Sequence, residues 1–272
     1  MALVEVNAVS KNYPRRAAGG FGLSHEDHFV VKDVSLTIAA GETLGLVGES
    51  GSGKSTLARM ILGLVPPTSG TIRVAGVEVG GSRTQALRRQ MQPVFQDPSA
   101  ALNPRMRVLD IVTEPLIIHN GGGEPTIDTR KLALKAAARE LLISVGLEES
   151  ALHRYPHEFS GGQRQRINIA RALALKPQFV VLDEPVSALD VSVGAQIVNL
   201  LRNLQREHGL TYLFISHSMP LVRYLSTRIA VMSNGRLVET GEAVELCAHP
   251  RESYTRQLLA ATPELPEATI PS

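Results

Sequence analysis

The chain has 272 residues, 43% apolar and 20% charged, with a formal net charge of +2 and one cysteine, Cys247. That apolar fraction excludes wholesale disorder, and the length suffices for one large domain or two small ones with a buried core. The small net charge lacks the clustered basic excess of a nucleic-acid binder, and a lone cysteine excludes intramolecular disulfides and Cys-only metal or iron–sulfur sites. No apolar run approaches the ~18 residues of a membrane span. Met1 to Asn12 carries Glu5 and lacks a long apolar stretch after a basic start, so no secretory signal is expected.

In chain order, Leu3–Tyr13 is valine-rich and loosely alternating, which predicts a strand. Arg15–Phe29, with Gly19, Gly20 and Gly22, predicts a surface loop. Val30–Ile38 alternates again, and Thr43–Val47 is a short apolar strand entering a glycine-rich loop. A helix is expected from Lys54 to about Leu64, stopped by Pro66 and Pro67. Thr71–Val74 and Met91–Phe95 read as further strands. From about Arg105 to Leu175 helical patterns dominate, with one break at Gly121–Gly123 between helices near Val108–His119 and Thr129–Val145. Strands and helices then alternate: strand Phe179–Leu182, helix Val191–Glu207, strand Leu210–Ile215, helix Pro220–Leu225 and strand Ile229–Met232. Such alternation marks a parallel sheet. The expected fold class is α/β, a P-loop nucleotide-binding core with a parallel sheet, an N-terminal antiparallel β-subdomain and an inserted α-helical subdomain. One domain over residues 1–262 is expected, with the helical subdomain at about 105–175 and a flexible tail over 263–272.

Gly48-Glu49-Ser50-Gly51-Ser52-Gly53-Lys54-Ser55 fits G-x-x-x-x-G-K-[ST] between an apolar strand and a helix. Backbone N–H groups of such a loop surround phosphate oxygens, and the helix start, with Thr56 in its first turn, adds positive potential. Lys54 would reach the β- and γ-phosphates, and Ser55 would offer its hydroxyl to Mg²⁺. The apolar run Phe179–Leu182 ends in Asp183 and Glu184. Acids at the carboxyl end of such a strand face a nucleotide. Asp183 suits Mg²⁺, and Glu184 suits a base acting on the attacking water.

Ser160-Gly161-Gly162-Gln163 precedes the helical run Arg164–Leu175. A capping box explains Ser160 and Gln163. Two glycines at a helix start are costly for capping alone, and a closely approaching phosphate explains them.

With these motifs the chain resembles the ATP-binding subunits of ABC transporters, over roughly Leu3–Thr262. The resemblance implies that Ser160–Gln163 of one subunit closes on ATP held by the phosphate loop of a second, in a head-to-tail dimer. It implies that Tyr13 stacks on adenine, that Gln96 senses Mg²⁺ and links to the helical subdomain, and that Ser187-Ala-Leu-Asp190 crosses the dimer interface. His217 is implied at the γ-phosphate; Ser218 follows it where the family usually has aspartate. ATP and Mg²⁺ are the implied cofactors. Catalytic roles fall to Glu184, His217, Lys54 and Gln96, and metal contacts to Ser55, Gln96 and Asp183.

Gln96-Asp-Pro-Ser-Ala-Ala-Leu-Asn-Pro-Arg105, the Arg15–Phe29 segment and His249-Pro-Arg-Glu-Ser-Tyr254-Thr-Arg-Gln-Leu-Leu259 resemble the branch importing di- and oligopeptides, nickel chelates and related solutes. The implied partners are two transmembrane permease subunits, a second ATPase subunit and, indirectly, an extracytoplasmic solute-binding protein, with no nucleic acid. The implied location is the cytoplasmic face of the cell membrane. Nickel or glutathione import, and a soluble ABC-type ATPase outside transport, are the alternatives. A P-loop kinase would need neither Ser160–Gln163 nor Ser187–Asp190. His25-Glu-Asp-His28 invites a metal reading, but a charged surface loop explains it.

Overall fold

The computed structural model describes residues 2–16, 25–81, 84–119 and 127–261. The chain forms two compact units, one from the segments up to Thr84 and from Leu213 onward, the other from Gln85–Tyr212. The tail expected over 263–272 lies outside the described residues.

The first unit opens with two long antiparallel strands, β1 (Ala2–Arg16) and β2 (His25–Ala39), whose register runs from Ala2↔Ala39 to Arg16↔His25. Val4, Val6, Val9, Val34, Leu36 and Ile38 form its buried side. Ala8 and Asp33 interrupt the ladder with left-handed backbone, φ +49° and +48°. Hydroxyls fill the gaps: Ala8 N donates to Ser35 Oγ at 2.8 Å and Asp33 N to Ser10 Oγ at 3.0 Å. Both strands run into the segment expected to be a loop from Arg15 to Phe29. Backbone ladder bonds hold polar residues there as well as apolar ones.

β3 (Thr43–Val47) is wholly buried and leads to α1 (Lys54–Ile61), which buries Leu57, Met60 and Ile61. β4 (Ser69–Val74) pairs antiparallel with β1, and β5 (Val77–Glu78) turns back on β4.

In the second unit α2 (Thr84–Gln90) leads to β6 (Met91–Val94), and α3 (Pro98–Ala101) follows. Three packed helices come next: α4 (Val108–His119), α5 (Ile127–Ser144) and α6 (Gly161–Leu173). Arg171 of α6 donates to Glu114 of α4 at 2.8 Å, and Arg166 of α6 donates to Val145 O at 2.6 Å, just past the end of α5. These side chains lock helices whose apolar faces are short of aromatic bulk. β7 (Phe179–Asp183) runs parallel to β6, from Met91↔Phe179 to Val94↔Leu182. α7 (Val191–His208) starts at Asp190, whose carboxylate accepts from Val193 N at 2.9 Å, and ends at the left-handed Gly209.

β8 (Thr211–Ile215) is divided by the boundary between the units. The first unit then resumes with α8 (Met219–Leu225) and β9 (Arg228–Ser233), the latter parallel to β3 from Leu44↔Arg228 to Val47↔Val231. Gly45 of β3 has no room for a side chain, since a Cβ would lie 2.4 Å from Val222 of α8. β10 (Arg236–Glu242) pairs antiparallel with β9, and α9 (Ala243–Ala248) and α10 (Ser253–Ala260) close the described chain. Glu42, nearly buried, binds Arg228 at 2.9 Å and fixes the start of β9. Among the described residues no helix is long and apolar enough to cross a membrane.

Candidate active site

In the first unit the chain leaves β3 through three left-handed glycines, Gly48 (φ +150°), Gly51 (+81°) and Gly53 (+105°). A Cβ at Gly48 would lie 2.1 Å from Met232 O, and one at Gly53 2.5 Å from Val30 O; around Gly51 nothing lies within 4 Å. Two of the three glycines are therefore required by close backbone approach as well as by conformation. The loop is pinned from behind: Gly235 N donates to Ser52 O at 3.0 Å, and Lys32 N donates to Gly235 O at 2.7 Å.

Lys54 is only 6% exposed. Its ammonium donates to Gly48 O at 2.8 Å, Glu49 O at 2.7 Å and Ser52 Oγ at 3.2 Å. A buried cation is stable only when hydrogen-bonded, and these three acceptors are neutral oxygens. α1 begins at Lys54 with Gly53 at its N-cap and no side chain capping it. Helix-start potential and a buried ammonium, with no side-chain anion capping the helix, make a cradle that fits the polyphosphate of ATP. Ser55 and Thr56, half-buried, occupy the first turn of α1.

Tyr13 lies on β1 opposite His28 of β2, with its ring 43% exposed and the Lys11 ammonium 5.1 Å from the ring centroid. His217 is exposed just after β8. Ser218 takes the N-cap position of α8 without a side-chain cap bond; its N–H donates to Ser216 Oγ at 3.0 Å. His28 is exposed, and among the described residues no group of three or more His, Cys, Asp or Glu is placed to hold a metal ion.

In the second unit the structure brings together three stretches that lie far apart in sequence. Gln96 and Asp97 after β6, Gly161 and Gln165 at the start of α6, and Ala188 and Leu189 before α7 line one cleft of about 80 Å³. Gln165 is fully buried, and its Nε2 and the Arg164 Nε lack hydrogen-bond partners.

Ser160 and Gln163 form a reciprocal cap. Gln163 N donates to Ser160 Oγ at 3.3 Å, and Ser160 N donates to Gln163 Oε1 at 3.0 Å. The glycines between them have a reason the sequence concealed. A Cβ on Gly162 would lie 2.4 Å from Val193 of α7, and one on Gly161 3.2 Å from Leu189. Close approach of α7 accounts for Gly162, so the glycine pair does not by itself require a phosphate.

At the end of β7, Asp183 and Glu184 are both half-buried. Glu184 has left-handed backbone, φ +49°, a conformation costing a non-glycine residue about 1–2 kcal/mol. The following turn sustains it: Ser187 donates to Glu184 O through its N–H at 3.3 Å and its Oγ at 3.1 Å. Ala8, Asp33, Ala75, Lys176 and Asn234 share this backbone region, so at Glu184 the strain fixes where the carboxylate starts without assigning it a role.

The ABC transporter family model matches residues 31–187, more than half of the chain. The chain belongs to the ABC transporter family. It is 52% identical over 237 residues to the oligopeptide transport ATP-binding protein OppF of Bacillus subtilis, covering 86% of this chain and 76% of that one. Against OppF of Streptococcus mutans the identity is 47% over 265 residues, covering 96% and 82%. Among solved structures, the ATP-binding cassette MJ0796, a dimer bound to ADP and Pi in a post-hydrolysis state, superposes with a TM-score of 0.73 at 32% identity, covering 88% of this chain and 98% of that one. The structure of cbiO1 from Clostridium perfringens, part of the ABC transporter complex cbiONQ, gives a TM-score of 0.76 at 26% identity, covering 91% of each chain. This ABC chain has the α/β cassette fold, with its antiparallel N-terminal sheet, parallel strands and helical segment, and it is an ATPase using ATP with Mg²⁺.

Sequence reasoning missed two supports of the phosphate loop. One is the Asn234–Gly235 turn, left-handed at φ +48° and +80°, which joins β9 to β10 and donates to Ser52. An Asn-Gly pair is a strong hairpin signal. The other is Tyr254, whose hydroxyl accepts from Glu49 N at 3.1 Å across 205 residues. No local signal announces it.

Proposed function

We propose that this chain powers import of di- or oligopeptides, hydrolysing ATP on behalf of partner membrane subunits. Identity of 52% to a protein named for oligopeptide transport, over 86% of the chain, carries this reading. The chain docks at the cytoplasmic face on two permease subunits, fed by an extracytoplasmic binding protein, and pairs head to tail with a second ATPase subunit.

In this reading Gly48–Thr56 binds the phosphates and Tyr13 stacks on adenine. Lys54 leaves part of its oxygen cage to reach the β- and γ-phosphates. Ser55, Gln96 and Asp183 would hold Mg²⁺, which would neutralise charge on the β- and γ-phosphates. Glu184 takes the proton of the attacking water, its left-handed backbone fixing the carboxylate. His217 and Gln96 contact the γ-phosphate region. Ser160–Gln163 of the second subunit completes the site through its helix start.

α4 supplies the docking face. Val108, Ile111 and Val112 are buried within the unit, while Ile117 and Ile118 are 45% and 66% exposed. Ile118→Glu tests this: it is expected to lower peptide uptake while leaving ATPase activity of the isolated chain intact. Uptake at the parent level, or crosslinks to the permease arising only from residues 15–29, would contradict the placement.

A further inference from the structure

The HPRESYTRQLL stretch near the C-terminus has no task in the reaction described above, yet it reaches the phosphate loop. Tyr254 is the second residue of α10, and its hydroxyl accepts the N–H of Glu49 at 3.1 Å. That N–H belongs to the Gly48–Glu49 peptide, whose carbonyl, Gly48 O, accepts from Lys54 Nζ at 2.8 Å. One peptide unit is thus gripped from both sides, by Tyr254 at its N–H and by the phosphate-binding lysine at its C=O.

The grip is anchored. The Glu239 carboxylate of β10 accepts from Arg251 N at 2.9 Å and Glu252 N at 3.2 Å, holding the turn that starts α10. Arg256 ties the same turn from the other side, donating to Arg251 O at 2.8 Å and Pro250 O at 3.1 Å. Thr255, beside Tyr254, is fully buried. The tyrosine is therefore delivered by a fixed element rather than by a frayed end.

We infer that Tyr254 is a positioning residue for nucleotide binding, holding the Gly48–Glu49 peptide so that its carbonyl keeps Lys54 at the mouth of the phosphate loop. The inference rests on the proposed role of that loop. Without the hydroxyl, the peptide can rotate and Lys54 loses the Gly48 carbonyl as an acceptor. Part of the order required for binding must then be imposed by ATP. Tyr254 touches none of the reacting atoms, so the effect falls on nucleotide affinity rather than on the chemical step.

The test compares the full-length parent with Tyr254→Phe, which keeps the ring, and with Glu239→Gln, which loosens the turn and leaves the tyrosine in place. Tyr254→Phe is expected to weaken ATP binding about 3- to 10-fold, the range of one net hydrogen bond. KM should rise with kcat within about 2-fold, Tm should stay level, and the Glu49 amide should exchange faster with solvent. Glu239→Gln should act in the same direction by less. A parent that binds no ATP would overturn the phosphate-loop reading itself. A parent that binds ATP with both variants equal to it, or a loss confined to kcat, would overturn the role of Tyr254 alone.

Discussion

The molecule has two glycine- and serine-rich helix starts, and they are built on opposite principles. At α1 the glycines are left-handed, no side chain caps the helix, and a buried lysine leans into the loop. At α6 the glycines lie in the first turn, Ser160 and Gln163 cap each other, and Val193 of α7 leaves no room at Gly162. The first leaves its helix start without a side-chain cap, beside a buried ammonium. The second satisfies its own backbone through the reciprocal cap of Ser160 and Gln163. Similar composition arises from conformation in one case and from helix packing in the other.

Replacing Lys54 should give the largest effect. Lys54→Ala removes the only ammonium of the phosphate loop, and ATP binding should fall about 100-fold, the loss of a hydrogen-bonded charge. Turnover should become undetectable. Parent-level hydrolysis would dissolve the contrast between the two helix starts.

Glycine substitutions separate the two principles. Gly53→Ala must displace the Val30 backbone, whereas Gly51→Ala faces open space and costs only its left-handed conformation, about 1–2 kcal/mol. Gly162→Ala should cost about 1–3 kcal/mol through overpacking against Val193. The paired variant Gly162→Ala/Val193→Ala should recover part of that cost in thermal unfolding. No recovery would mean that Gly162 is not a packing residue.

The cap at α6 gives a smaller effect. Ser160→Ala should lower stability by about 1 kcal/mol, read as a lower denaturant midpoint. An unchanged midpoint would remove the capping account of Ser160.

The buried elements of both regions were legible in the sequence because burial leaves a dense signal. β3 and β7 are apolar runs, and α4 was readable over Val108–His119 in spite of Pro115. Elements held by backbone pairing at a half-exposed surface were not. β10 alternates poorly around Glu239 and Gly241, and the outer ends of β1 and β2, from Arg15 and up to Phe29, read as loop because their residues are mostly polar. The short helices α2, α9 and α10 lack the length over which periodicity accumulates. Among site residues the motifs were visible, but their reasons were long-range. Val193 explains Gly162, Val30 explains Gly53, and nothing near Tyr254 points to Glu49.

The smallest effect concerns pH at the turn that carries Tyr254. Burial pushes the Glu239 carboxyl up, but Thr255, the amides of Arg251 and Glu252 and the Arg251 charge outweigh it and hold the carboxyl below its ordinary value. A depressed folded-state pKa means the turn's contribution is complete above about pH 4.5. It is lost as pH falls through the depressed value. Glu239→Gln should flatten the acid side of the stability profile below that point and leave the profile near neutrality unchanged in shape. An identical acid limb in parent and variant would contradict the assignment.

The most direct test of the central claim is Glu184→Gln in the complex purified with its membrane subunits, with ATP binding and single-turnover hydrolysis measured on one sample. The amide keeps the shape of the carboxylate and cannot take a proton from water. Binding should be retained or tightened, while hydrolysis falls about 10²–10⁴-fold. Parent-level hydrolysis would remove Glu184 from the chemistry, and loss of binding together with hydrolysis would mean that its role is structural.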